Sequence, residues 1–452
     1  MAGNFTFNTV SSPYQSQIPS TIPPVNSPKH LWMKAFAEAM ETCKFSKIKS
    51  HFDQSSLSKT LLQQFRNLLD AEKLFLQMRF HAPQSRLLFF SSSKEPSTAA
   101  LFQSLADANV DFSFEDNEIM ADISKVASCR LVFIDFLTIL ATDQTDVLLN
   151  GALKKLGTVA SWLSPTVPSM TPFFERLRNE FKALYHAFET LQLINKLNYI
   201  DSLIAMQQSF AQIEQLEVRV GLATNSSGTY VATSSGSSTT EPWQKFYAWL
   251  RNVMSHVVGK FCTFFYTAVN PYLVPDNRSI ATSHLPGLLA RSSYPDFIGK
   301  FFTLAKKFSV EILLLICDPV GGETKIEPFY RLEIGGEGQN SGSQLHVLMS
   351  YWPGDPTHDP TSVAFLETFN RFENFILKLI TQHRIREEPY TTAEMQNTKT
   401  ILAPVDTNTF LLCAFSFNKG FRESHIISAV TELASVLRCK AIFTPLKDAC
   451  LQ

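Results

Sequence analysis

Gly335-Gly336-Glu337-Gly338-Gln339-Asn340-Ser341-Gly342 is the stretch of this chain that comes nearest to a phosphate-binding loop. Glycines serve such loops because a backbone without Cβ atoms lets amide N–H groups close on an anion. The dinucleotide pattern begun at Gly336 requires a glycine at position 341, where Ser341 stands, and the segment leads into a strand-like run instead of a helix. Gly321-Gly322-Glu323-Thr324-Lys325 likewise lacks the spacing of a nucleoside-triphosphate loop. Both segments read as turns, and no cofactor is expected.

Metal and nucleophile chemistry find little more. His346 and His358 flank a loop carrying Asp355 and Asp359, whereas zinc needs His, Cys or carboxylates at tight recurring spacing. No G-x-S-x-G elbow occurs. The seven cysteines (Cys43, Cys129, Cys262, Cys317, Cys413, Cys439 and Cys450) never form a C-x-x-C pair, and most fall in apolar periodic stretches. That pattern predicts buried, reduced thiols in a cytosolic protein, and Cys413 within an apolar strand would be inert. His425, in Ser424-His425-Ile426-Ile427-Ser428, reads either as a functional group or as a residue that caps and packs a helix start. No catalytic, cofactor-binding or metal residue is expected, and the chain is expected not to be an enzyme.

The elements follow from apolar spacing. Residues 1–29 are rich in Pro, Ser and Thr and predict a disordered tail, because they cannot bury enough surface to offset ordering entropy. Residues 30–270 predict a multi-helix bundle. Leu61, Leu62, Phe65, Leu68, Leu69, Leu74, Phe75 and Met78 line one helix, with shorter helices near 97–108, 117–142 and 151–163. Thr171-Pro172 predicts a hydroxyl cap and a proline at the first helical position. Phe174, Leu177, Phe181, Leu184, Phe188 and Leu191 then make a bundle-type seam, with a break expected near Asn198–Ser202. Residues 221–240 hold six Ser, five Thr and no charged residue, so a flexible loop is expected over 221–241. Trp243 to Ala268 resumes a helix.

A connector at 271–293 leads to an α+β domain at 294–452. Helices are expected at Asp296–Phe308, after Asp359-Pro360 through Ile380, and at Arg422–Leu437. Strands are expected at Val310–Cys317, Phe329–Ile334, Leu345–Trp352, Thr398–Ala403 and Phe410–Phe417, with a further short one at Lys440–Phe443. The fold class is thus a helical bundle followed by a small α/β sandwich. Its antiparallel sheet of about five strands has an order similar to longin, roadblock and profilin-like folds.

Charge narrows the partners. Lys plus Arg is 40 against 41 Asp plus Glu, a formal net charge of −1, with no basic stripe for nucleic acid or anionic lipid. No apolar run is long enough to span a bilayer, and the N-terminus carries no apolar signal core, so the sequons at Asn4, Asn225 and Asn277 read as chance matches.

Two motifs carry a resemblance. Pro295-Asp296-Phe297-Ile298-Gly299-Lys300, leading to Leu313-Leu314-Leu315-Ile316-Cys317-Asp318, resembles the KICSTOR subunit 2 family, which has a P-D-F-aromatic-G-K stretch before an aliphatic strand ending in Asp. Ser424-His425-Ile426-Ile427-Ser428 with Glu432 is similar to that family's S-H-F-I-S helix. Ala71-Glu72-Lys73 and Phe246 through Phe265 are similar as well, and element order runs in parallel from about residue 55 to the end. Ile298 and Ile426 stand where the family has aromatic residues.

The resemblance implies a scaffold subunit of the KICSTOR complex. Its partners would be a kaptin-like protein, an FG-GAP repeat protein and a very large seizure-threshold scaffold. The assembly would be peripheral at the lysosomal membrane and would recruit the GATOR complex, restraining TOR complex one when amino acids or glucose are scarce. Pro295, Asp296, Phe297, Gly299, Lys300, Ser424, His425 and Glu432 are the motif residues with a structural or interaction role. Alternatives left open are a longin- or roadblock-type trafficking adaptor or small-GTPase regulator, and an enzyme of unrecognised class.

Overall fold

The computed structural model describes residues 27–45, 48, 52, 57–77, 98–108, 114–141, 146–220, 222–224, 230–232, 242–266, 268–269, 294–318, 345–353, 363–386, 388–395, 398–416, 423–439 and 442. The N-terminal part is helical: α1 (Pro28–Glu41), α2 (Lys59–Gln77), α3 (Thr98–Ala106), α4 (Phe114–Ala141), α5 (Asp146–Trp162), α6 (Thr171–Asn195), α7 (Tyr199–Val220) and α8 (Pro242–Phe264). Helix α1 starts within the segment expected to be a tail, because the Ser27 hydroxyl caps it by accepting from His30 N–H and Pro28 supplies a helical φ. The rest of that tail lies outside the described residues.

Helix α6 is the axis of the bundle, packing on α1, α5, α7 and α8. Its seam from Phe174 to Phe188 is buried, and Leu191 is half-buried. Aromatic edges lock it in place: Phe181 meets Phe133 of α4 at 5.0 Å between centroids, and Phe188 meets Phe136 at 4.9 Å. The expected break falls where Leu197 adopts a left-handed φ of 54° and the Asn198 side chain caps α7 by accepting from Asp201 N–H at 3.0 Å. Thr171 is not the cap. A 3₁₀ turn, Pro168–Met170, delivers Met170 as the flanking residue, and the Thr171 hydroxyl is drawn back to donate to the Pro168 carbonyl at 2.7 Å. Within the Ser/Thr-rich stretch expected to be a loop, β1 (Leu222–Thr224) and β2 (Tyr230–Ala232) pair as an antiparallel ribbon.

The C-terminal part is α9 (Phe297–Lys307), β3 (Ile312–Cys317), β4 (His346–Tyr351), α10 (Val363–Arg386), β5 (Thr391–Met395), β6 (Thr398–Asp406), β7 (Thr409–Ser416) and α11 (Glu423–Leu437). The five strands form one antiparallel sheet in the order β4-β3-β7-β6-β5, so the chain is of the α+β class. Strand β5 was not among the expected strands. Phe329–Ile334, the two Gly-rich segments and the 271–293 connector lie outside the described residues, as does most of Lys440–Phe443.

Both sheet faces are apolar, because successive side chains alternate sides. Leu314, Ile316, Leu402, Phe410 and Leu412 point to α10, while Leu313, Leu315, Ile401, Ala403, Leu411 and Cys413 point to α9, α11 and the bundle. Opposite Leu315 and Ile316 the β4 partners are Met349 and Val347, and Leu348 bulges between them into the bundle-side core. On that side a single apolar cluster runs without interruption from Trp32 in α1 to Ile442.

Candidate functional site

Among the described residues, a compact set of ionisable groups lies inside the bundle. Glu72 of α2, Arg130 of α4, and Arg176 and Glu180 of α6 each have fully buried side chains. Arg130 grips Glu72 with both arms of its fork, Nε to Oε1 at 2.6 Å and Nη2 to Oε2 at 2.8 Å. It reaches Glu180 Oε2 at 2.8 Å. Arg176 closes the ring, bonding Glu72 at 2.7 Å and Glu180 at 2.9 Å. Its remaining nitrogen donates to the Met40 carbonyl and lies 3.4 Å from Cys43 Sγ, and the Tyr247 hydroxyl of α8 donates to Glu180 at 3.2 Å.

Two positive and two negative groups leave this ring neutral. Burial pushes the Glu72 carboxyl up, but the charges and hydrogen bonds of Arg130 and Arg176 outweigh it and hold the group below its ordinary value. Burial also works against both guanidinium charges; Glu180 and Glu72 overcome it at Arg130, and Cys43, Glu180, Tyr247 and Glu72 do so at Arg176. Glu72, Arg130 and Arg176 are therefore all held toward their charged forms. The Arg130 guanidinium also lies over the Phe75 ring at 4.1 Å. The ring joins α1, α2, α4, α6 and α8 at one point. Sequence reasoning missed it. The available signal was charge beside apolar stripes: Glu72 between Leu68, Leu69 and Phe75, and Arg176 and Glu180 one turn apart next to Leu177 and Phe181 of the α6 seam.

The motif residues gather on neighbouring helices. Asp296 caps α9, its carboxylate accepting from Gly299 N–H at 2.7 Å. Phe297 is buried against α8, where it lies over Gly259 and 6.0 Å from the His256 ring. The Pro295 carbonyl, which accepts from Phe297 N–H at 2.9 Å, crowds the same glycine, and Lys300 stands close enough to His256 to lower that imidazole's pKa, behind the larger effect of burial. Helix α11 packs beside α9, with Ser424, His425 and Glu432 exposed and Ile426 buried. Both motifs thus share one side of the sheet, their apolar members inward and His425 and Glu432 outward.

Elsewhere, Lys260 of α8 is buried and bonds Asp406 of β6 at 2.7 Å. The six described cysteines are buried, and burial pushes the Cys413 thiol up to about 12. Among the described residues no group of His, Cys, Asp and Glu has a metal-binding arrangement, and no helix is long and apolar enough to cross a membrane. His346 stands on β4; His358, Asp355 and Asp359 lie outside the described residues.

On the opposite face of the sheet, beneath α10, is an apolar cavity of about 110 Å³. Phe365, Phe369 and Phe372 form its helical wall, Leu314 and Leu412 its floor, and Glu311 is the one charged lining group among the described residues. Compared with known proteins, the chain matches no family model and no curated protein.

Proposed function

We propose that the chain is a non-catalytic scaffold or adaptor that works by docking other proteins. One observation carries this reading: the charged cluster best placed for acid–base chemistry is internally neutralised and sealed from water, tying five helices together. Charges used in this way rigidify a support and leave binding to surface side chains. Exposed Ile200 and Ile204, one turn apart on α7, supply apolar contact points of the kind that anchor interfaces.

The more specific reading is a subunit similar to KICSTOR subunit 2, and it rests on the two motifs. Their residence on adjacent helices α9 and α11 supports a shared role. In this proposal the partners are the kaptin-like, FG-GAP repeat and seizure-threshold proteins, and through them the GATOR complex at lysosomes. The longin- or roadblock-like order belongs to the same proposal, supported by five antiparallel strands with α10 on one face and α9 and α11 on the other.

Affinity purification with mass spectrometry from fed and starved cells tests it. Recovery of those proteins with the full chain, reduced by Ile200→Asp plus Ile204→Asp or by His425→Ala plus Glu432→Ala, is the expected result. Recovery of small GTPases or coat proteins without a kaptin-like protein would point to a trafficking adaptor instead.

A further inference from the structure

The cavity beneath α10 has a size, a lining and a charge that together define a ligand. At about 110 Å³ it is below the range of roughly 300–1,000 Å³ for drug-sized pockets. It is of the order of the roughly 150 Å³ apolar cavity known to hold benzene. Maintaining such a void is unfavourable, because its lining loses dispersion contacts that a filled core would make.

The walls are aromatic on the helix side, where Phe365 and Phe369 stack at 5.8 Å between centroids, and aliphatic on the sheet side. At the start of β3 the Glu311 carboxylate joins the lining. Its Oε2 accepts from the Thr398 hydroxyl at 3.0 Å, and no Lys, Arg or His of the described residues pairs with it. A carboxylate beside aromatic rings favours a positive group, through charge and through the negative faces of the rings.

We propose that this cavity binds a small free organic cation: one ring, or a short branched aliphatic body, bearing a single ammonium group that meets Glu311. The apolar body would fill the space between α10 and the sheet, and the ammonium would replace water at the free carboxylate oxygen. Binding at this site is independent of the docking role proposed above.

Isothermal titration and thermal shift of the full chain with benzylamine, toluene and benzoate test the assignment. Benzylamine is expected to bind saturably and raise the melting temperature, toluene to bind more weakly, and benzoate not to bind. Glu311→Gln should weaken benzylamine about tenfold while leaving toluene unchanged, since only the charge-assisted contact is lost. Phe372→Trp, at a half-buried position that narrows the space, should weaken both. Failure of benzylamine to saturate, equal binding of benzoate, or indifference of benzylamine to Glu311→Gln in a folded protein would each overturn the proposal.

Discussion

Lys260 of α8 donates to the Asp406 carboxylate of β6 at 2.7 Å, across 146 residues of chain, with the lysine almost wholly enclosed. The contact sits where the helical bundle meets the sheet, and the lysine also lies over the Phe264 ring at 4.9 Å. Lys260→Ala is expected to cost about 2–3 kcal/mol. That is less than the roughly 3–5 kcal/mol for an ion pair wholly removed from water, because Asp406 keeps some solvent. Urea unfolding measures it, and adding Asp406→Leu should recover part of the loss.

The ring of Glu72, Arg130, Arg176 and Glu180 should respond more severely to single changes. Arg130→Met leaves two carboxylates facing one guanidinium, and a loss of about 3–5 kcal/mol is expected. Replacing all four with apolar residues of similar volume should recover most of it, because no uncompensated charge then remains. Denaturation midpoints of the single and quadruple variants decide this. A single variant as stable as the parent would show that water reaches the ring.

Lowering the pH should destabilise the protein through two histidines. Burial, and then Arg438, hold His383 below its ordinary value, with Glu388 opposing and Arg384 adding; its Nδ1 lies 3.0 Å from the Thr391 hydroxyl of β5. Burial, opposed by the Asn252 carbonyl and aided by Lys300, lowers His256. The unfolded chain therefore binds protons more readily at these sites. The stabilisation is intact above the unfolded value of about 6.5 and is lost as pH falls below it. Urea midpoints should drop between pH 7.5 and 5.5, and less so in a His256→Gln/His383→Gln variant.

At Gly299 the usual gain from alanine in a helix, up to about 1 kcal/mol, should vanish. A Cβ there would overlap the Asp296 carboxylate and displace the cap that Gly299 N–H completes. In an Asp296→Ala background, where no cap remains to lose, Gly299→Ala should stabilise. Thermal melts of the four proteins form the cycle, and equal effects in both backgrounds would count against this account.

Much of the fold was legible because burial imposes a period. The α6 seam and strands β3 and β7 follow from apolar spacing, the break at Asn198 from the excessive length of an unbroken helix, and Asp296 stands at the expected start of its helix. Strand β5 escaped because Thr391-Thr392-Ala393-Glu394-Met395 lies at the sheet edge and shows no apolar alternation. Thr171-Pro172 misled because a cap is defined by the turn before it, and Pro168–Met170 had already begun to coil. The buried ring was invisible for a different reason: Glu72 and Arg176 are 104 residues apart, and their complementarity exists only after the helices meet. The cavity is likewise set by how α10 stands over the sheet, which residue spacing does not encode.

The unbroken apolar cluster from Trp32 to Ile442 bears on how partners can be mapped. Cutting the chain between α8 and α9 would strip Phe297 from its seat against α8 and bare one side of the sheet. Each half would then present an oily wound that sticks to chaperones and to other fragments. Deletion series would score that adhesion as interaction, so point substitutions on the intact chain are the sound way to locate a true docking surface.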